Sequence, residues 1–309
     1  MFSLGALVLG LVGVPGASAA GEEGHQALRV DGFHSSDADG AELTRFGLGW
    51  DFQRRDREHW VGAKVEQARF VAPGWSHEEQ RVYFQAAGTL GSGDIDDDTW
   101  RWRVSPGTNG DRLLGSAAMN TEGPRRRELF IERELLETRQ GVEREQVVTF
   151  LGAAIDQPLG ERASVTGLAG WQDFDDGNRR VHLRANGVLS VWREQGLSLQ
   201  LRTRYHRNSE PNLGDYFSPA WYVDVIPAVG WRRFVSGHQF NAVAGVGRQR
   251  TAAEDSRRAR LLQAGYESPR WRDSWVRINV GYSDTPVSTS AQRDRYSYRF
   301  IMFEGVIAF

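Results

Sequence analysis

Along residues 21–309, apolar and polar residues alternate within segments of about ten residues, the two-residue period of a strand with one apolar and one polar face. Thr44, Phe46, Leu48, Trp50 and Phe52 fall on one face; Arg45, Gly47, Gly49 and Asp51 fall on the other. Leu183, Ala185, Gly187, Leu189 and Val191 oppose His182, Arg184, Asn186 and Ser190. Leu197, Leu199 and Leu201 oppose Ser198, Gln200, Arg202 and Arg204, and Val276, Ile278, Val280 and Tyr282 oppose Arg277 and Asn279. A helix would spread both members of each alternation around its surface and bury charge. Arg127 to Thr138, rich in Glu and Leu, is the one stretch where helix competes with strand.

Sixteen segments are expected, near 26–33, 41–52, 58–70, 80–90, 98–106, 112–120, 127–137, 146–158, 162–173, 179–193, 197–208, 220–235, 238–250, 257–268, 273–283 and 295–309. From the eighth onward, short connections such as Ser236-Gly237 alternate with longer ones such as His206 to Ser218. Short turns at one rim and longer loops at the other characterise outer-membrane barrels, and an even strand count puts both termini at the short-turn rim. The expected fold is therefore all-β: a transmembrane antiparallel up-and-down barrel of about sixteen strands, within roughly 14–18. Trp50, Trp100, Trp221, Trp231 and Trp275 lie near segment ends and are expected on the apolar face, as an interfacial girdle. Ile301, Phe303, Gly305, Ile307 and the terminal Phe309 form one alternating face. That aromatic carboxy-terminus resembles those of outer-membrane proteins, where the feature is linked to assembly by dedicated machinery; Phe309 is the candidate assembly signal.

Composition sharpens this picture. The chain has 309 residues, no cysteine, 35 glycines and 34 aromatic residues, with a formal charge of −2. Absence of cysteine excludes a disulfide framework, thiolate catalysis and zinc–thiolate sites. The near-neutral charge argues against nucleic-acid binding. A mean hydropathy of −0.51 excludes a bundle of membrane helices, but not a barrel that hides its apolar residues on alternate positions. Leu4 to Val14 is an apolar run too short to span a bilayer, and Ala17-Ser18-Ala19-Ala20 supplies a small-residue cleavage site. Residues 1–20 are read as a signal peptide and 21–309 as the barrel, exported to the outer membrane of a Gram-negative cell and surrounded by its lipid. No basic residue precedes the apolar run, a departure from the usual leader.

Alternation assigns the lumen. Its candidate lining is Arg45, Lys64, Glu66, Tyr83, Arg101, Arg103, Arg184, Arg202, Arg204, Tyr222, Asp224, Arg277 and Glu304. Basic residues outnumber acidic ones in this set, which favours an anionic passenger. The alternative reading of the same charges is a structural salt-bridge lattice in a plugged barrel that acts through its loops as an adhesin, receptor or structural protein. A lipid hydrolase is a further alternative. Its nearest composition is His182 with Asn186 and Ser190, but no Gly-x-Ser-x-Gly element is present and the chain is not expected to be an enzyme. Asp94, Asp96, Asp97 and Asp98 lack the spacing of a calcium loop and read as a solvated turn, so no metal or other cofactor is expected.

Asp215-Tyr216-Phe217-Ser218-Pro219, leading into Trp221 to Trp231, resembles the Tyr-Phe-(Ser/Asn)-Pro element in the carboxy-terminal barrels of exopolysaccharide exporters. These include the cellulose-synthesis outer-membrane subunit and the poly-N-acetylglucosamine porin. Arg127 to Leu159 is similar to the middle of such barrels. The resemblance implies a sixteen-stranded pore that passes a linear polysaccharide. Asp215, Tyr216 and Phe217 would then lie in an outer-mouth loop, docked on the wall or guiding the polymer out; an interfacial anchor before a Pro-set strand start is the alternative. Those exporters carry a helical-repeat region before the barrel. None is seen here, so either a separate periplasmic protein supplies the scaffold or the barrel has another task.

Overall fold

The computed structural model describes residues 25–91, 98–285 and 296–309. The signal-peptide segment and Asp94, Asp96 and Asp97 lie outside these residues. The strands are β1 (His25–Asp37), β2 (Glu42–Arg54), β3 (Trp60–Ala72), β4 (Trp75–Thr89), β5 (Arg101–Thr108), β6 (Leu113–Asn120), β7 (Arg127–Leu135) and β8 (Val147–Pro158). They continue as β9 (Ala163–Phe174), β10 (Arg179–Trp192), β11 (Leu197–Asn208), β12 (Trp221–Val235), β13 (His238–Thr251), β14 (Arg257–Glu267), β15 (Trp275–Ser283) and β16 (Tyr298–Ala308). Each pairs antiparallel with its chain neighbours, and β1 pairs with β16 to close the barrel, from Ala27 opposite Ala308 to Asp37 opposite Tyr298.

Strand β4 departs furthest from the expected segments, and one ambiguous stretch is resolved as the expected strand. Strand β4 starts at Trp75 rather than near residue 80, because Pro73-Gly74 makes a tight hairpin turn with Gly74 at φ 72°. In the ambiguous Arg127 to Thr138 stretch, strand prevails through Leu135. Leu129 and Ile131 are exposed outside while Glu128 and Glu132 share the inward register, so pairing to β6 and β8 satisfies both faces at once. Helix forms only beyond it, as α1 (Arg139–Glu143), capped by the Thr138 side chain accepting from the Gly141 N–H.

The outer face is apolar. Phe46, Leu48, Trp50, Leu183, Leu199 and Ile301 are among many large apolar side chains exposed on it. A belt of this extent suits hydrocarbon rather than water. Closure leaves no edge unpaired among the described strands, as a membrane interior requires. No described helix is long and apolar enough to cross a membrane. Trp50 and Trp231 are exposed on this face, and Trp221 shares it with Val223 and Val225. Trp275 corrects the girdle expectation. It pairs with Val306 on the inward register that carries Arg277 and Glu304, and both Arg277 and Arg270 lie over its ring. Its parity with Arg277 decides its face, whatever its hydrophobicity.

Both described chain ends lie at one rim, where Gln26 and Phe309 exchange backbone hydrogen bonds of 3.1 and 2.9 Å. The opposite rim carries the connections 136–146 and 209–220, and β15 ends and β16 begins there; β4 ends and β5 begins at the terminal rim. In a barrel of this kind the first rim faces the periplasm and the second the outside.

Candidate functional site

The inner wall is a charged lattice. Fully buried Arg81 on β4 reaches Glu66 on β3 at 3.5 Å, Glu134 on β7 at 3.2 Å, and Glu79 on its own strand. Asp51 receives Arg29 at 2.8 Å and Arg54 at 2.9 Å. Lys64 bridges Glu66 at 2.9 Å and Asp31 at 3.3 Å, and lies over the Tyr83 ring. Arg204 pairs with Asp224 at 2.7 Å, and both bond the Tyr222 hydroxyl. Arg277 spans Glu267 at 3.0 Å and Glu304 at 3.4 Å; Arg101 lies 3.7 Å from both Glu58 and Glu122 near the terminal rim. Register brings some partners face to face on neighbouring strands, as Arg81 and Glu66, Arg204 and Asp224, or Arg277 and Glu304, while others share a strand or reach further, as Arg81 does to Glu134.

Three of the sequence candidates behave differently. Arg103, on the inward register opposite Ala87 and Ala118, is exposed. Arg202 makes its hydrogen bond to a neutral partner, Gln263 on β14, at 2.9 Å. The Nε of Arg184 is enclosed without a hydrogen-bond partner. Among the described residues, none of the three has a carboxylate within ion-pair distance.

Two outer-rim loops fold inward. The 136–146 loop carries α1 across the barrel, where Val142 packs with Leu43, Ala68 and Phe70 of β2 and β3. Glu137 in this loop lies 3.9 Å from Arg45 on β2. Leu136 joins Val148, Phe150, Leu168, Phe174 and Tyr216 in a second inward cluster. Tyr216 belongs to the 209–220 loop and stacks on Phe174, with ring centroids 4.6 Å apart. Its hydroxyl donates to Asp176 and accepts from Asn178, both at 2.9 Å. Burial pushes its pKa up, so the hydroxyl remains a donor. Buried Arg180 lies over the Phe174 and Tyr216 rings and donates to the Phe217 carbonyl. Phe217 meets His206 and Tyr222 edge-on. Tyr216 and Phe217 therefore dock the loop on the inner wall and are not membrane-interface anchors. The two loops meet where the Gln140 N–H donates to the Asp215 carboxylate at 2.8 Å.

A row of rings follows the wall beneath these loops: Phe130, Phe150, His182, His206 and Tyr222, on β7, β8, β10, β11 and β12, with successive centroids 5.0–5.6 Å apart. Gly152 and Gly170 make room for the rings beside them; a Cβ at either would lie 2.3 Å from a phenyl carbon. The sequence reading did not single out Phe130, Phe150, Arg180, His206 or Glu137. The available signal was parity: Leu43, Phe70, Phe150 and Phe174 put apolar side chains on the otherwise polar face. His182, considered for hydrolysis, faces this interior and bonds Gln172 at 2.7 Å through Nε2. Asn186 shares its inward register, so neither presents chemistry on the outer wall.

No family model and no curated protein matches the chain. Among solved structures it is similar to a bacterial polysaccharide outer membrane secretin, with TM-score 0.65 and 15% identity over 92% of this chain and 98% of that one. It is also similar to Pseudomonas aeruginosa OprD, with TM-score 0.43 and 9% identity over 93% and 96% of the two chains. For OccK3 (OpdO) of the same organism, the TM-score is 0.45 and identity 10% over 93% and 96%. The first likeness gives the fold: the chain is a closed antiparallel β-barrel of the kind seen in that polysaccharide outer membrane secretin.

Proposed function

We propose that this barrel is a porin-like outer-membrane channel that exports a polysaccharide or another polar solute. The observation that carries the reading is the exposure of Arg103. An inward-facing arginine with neutral alanines on both flanks, one inward step from Arg101, stays open to solvent, which supports a water-filled entrance to the lumen. The sugar-polymer assignment draws on the secretin fold and on the ring row, which offers faces for weak stacking next to hydrogen-bonding groups. A polymer would cross by exchanging water for many such contacts, each weak enough to release it. Asp224, Tyr222 and the lumen arginines would supply those contacts, and the two inward loops would narrow the exit. Lipid would contact the outer belt. Assembly machinery would read the terminal strand, and a separate periplasmic scaffold would deliver the polymer.

The Gln140–Asp215 contact favours a second reading, in which the loops seal the mouth and the barrel acts through its surface. Single-channel recording in planar bilayers separates the two. The channel reading expects discrete conductance from the native barrel and larger steps after the 137–145 segment is replaced by a short Gly-Ser turn. A folded, heat-modifiable barrel that conducts in neither form would overturn it.

A further inference from the structure

The inward positions of β9, β10 and β11 carry Arg180, Arg184, Arg202 and Arg204 and no carboxylate. The flanking strands supply Asp156 on β8 and Asp224 on β12. Asp224 is held by Arg204 at 2.7 Å, and Asp156 accepts from the Thr166 hydroxyl. Much of the wall pairs its cations closely: two arginines share Asp51, and one arginine takes Glu66, Glu79 and Glu134. Arg184 and Arg202, like Arg103 nearer the terminal rim, have no carboxylate within ion-pair distance among the described residues, and these two lie together.

Asn186 links them. It stands opposite Arg202 in register and two residues from Arg184 on the same face of β10. Register neighbours are about 5 Å apart and alternate residues about 7 Å apart, so the three side chains share one patch of wall. Asn186 is buried, and both its Nδ2 and its Oδ1 lack partners, as does the Nε of Arg184. Both arginines keep part of their surface open to the lumen. A structural lattice would satisfy such groups internally, since unmatched enclosed polar atoms are unfavourable. Two guanidinium groups without an ion pair, around an unmatched amide, suit a ligand with both an anionic group and hydroxyls.

We propose that Arg184, Asn186 and Arg202 form a subsite for a carboxylate-bearing sugar, so that the exported polymer is an acidic glycan. The guanidinium groups take the carboxylate, whose planar geometry they match, and the amide takes a neighbouring ring hydroxyl as donor or acceptor. This deepens the channel reading and rests on it.

The probes are a β-1,4-linked glucuronate hexamer and cellohexaose, which differ in having a carboxylate or a hydroxymethyl at C6. In bilayers, the acidic hexamer is expected to block current at about tenfold lower concentration than the neutral one, the effect of a charge-assisted contact. Combining Arg184→Gln with Arg202→Gln should bring the two blocking concentrations together. Arg193→Gln, in the exposed turn between β10 and β11, should leave the ratio unchanged. Calorimetry on the detergent-purified barrel, checked for heat-modifiability, reads the same subsite without requiring conductance. Selective binding of the acidic hexamer that the double variant loses, in a barrel that does not conduct, would overturn the channel reading and keep the subsite. Equal binding of both hexamers, binding of neither, or acidic binding unaffected by the double substitution would overturn the subsite.

Discussion

Gln140, in the loop after β7, and Asp215, in the loop before β12, are joined by a backbone-to-carboxylate hydrogen bond of 2.8 Å. The bond spans 75 residues of sequence and connects the two segments that fold into the barrel mouth. Each loop also has its own apolar anchor, Val142 on β2 and β3 and Tyr216 on Phe174. The bond thus sets the relation between the loops rather than the docking of either one.

Asp215→Ala is therefore expected to uncouple the loops while leaving the barrel folded. A hydrogen bond to a charged group contributes about 1.5–3 kcal/mol, so the population of separated loops should rise about tenfold or more. Limited trypsin cleavage after the exposed Arg139 and Arg144 measures this in the intact barrel. Cleavage should accelerate in Asp215→Ala and less so in Asp215→Asn, which keeps one acceptor. Equal cleavage rates in all three proteins would refute the coupling.

Arg81 offers a test of the lattice itself. Its guanidinium is fully buried and stands between three carboxylates, over the Phe70 ring. Arg81→Ala leaves Glu66, Glu79 and Glu134 without this cation and should destabilise the barrel by about 3–5 kcal/mol. Arg81→Lys keeps the charge but loses the planar fork, so its loss should be smaller. Urea midpoints in a fixed lipid or detergent rank the three proteins. An unchanged midpoint for Arg81→Ala would show that the triad contributes little.

Strand order and facing were legible because each depends on a local two-residue period, and the inward register of Arg45, Lys64, Arg184, Arg204 and Arg277 followed from it. What occupies the lumen was not legible, because it depends on contacts between distant segments. Nothing local to Arg139–Glu143 says that Val142 will reach Leu43 and Phe70 across the barrel. The indirect trace was apolar side chains at inward parity, including Phe150 and Phe174. Trp275 shows the same rule from the other side: read by type, it belongs to the girdle, but read by parity it belongs beside Arg277.

The ring row predicts a steric result at its glycines. A Cβ built at Gly170 falls 2.3 Å from the Phe150 ring, and one at Gly152 falls 2.3 Å from Phe130. The Phe150 ring cannot retreat freely, since it is buried among Leu136, Val148 and Leu168. Gly170→Val should cost about 1–3 kcal/mol by overpacking. Pairing it with Phe150→Ala should make the two substitutions less than additive, because the second removes the clash. Strict additivity of the unfolding free energies would count against the packing described.

Phe309 separates stability from assembly. Its backbone exchanges hydrogen bonds with Gln26 across the closing seam, and its ring meets Trp50 edge-on at 5.9 Å. Phe309→Ala keeps the backbone bonds and loses the ring contact, a loss of about 0.5–1.5 kcal/mol. If this ring served stability alone, the yield of membrane-assembled barrel in cells would track that small change. If it is also an assembly signal, yield should fall several-fold while the purified, refolded variant unfolds near the native midpoint. Trp50→Ala removes the same ring contact from the other side and leaves the terminus intact. The assembly role expects normal cellular yield from Trp50→Ala and low yield from Phe309→Ala; equal yields from the two variants would eliminate it.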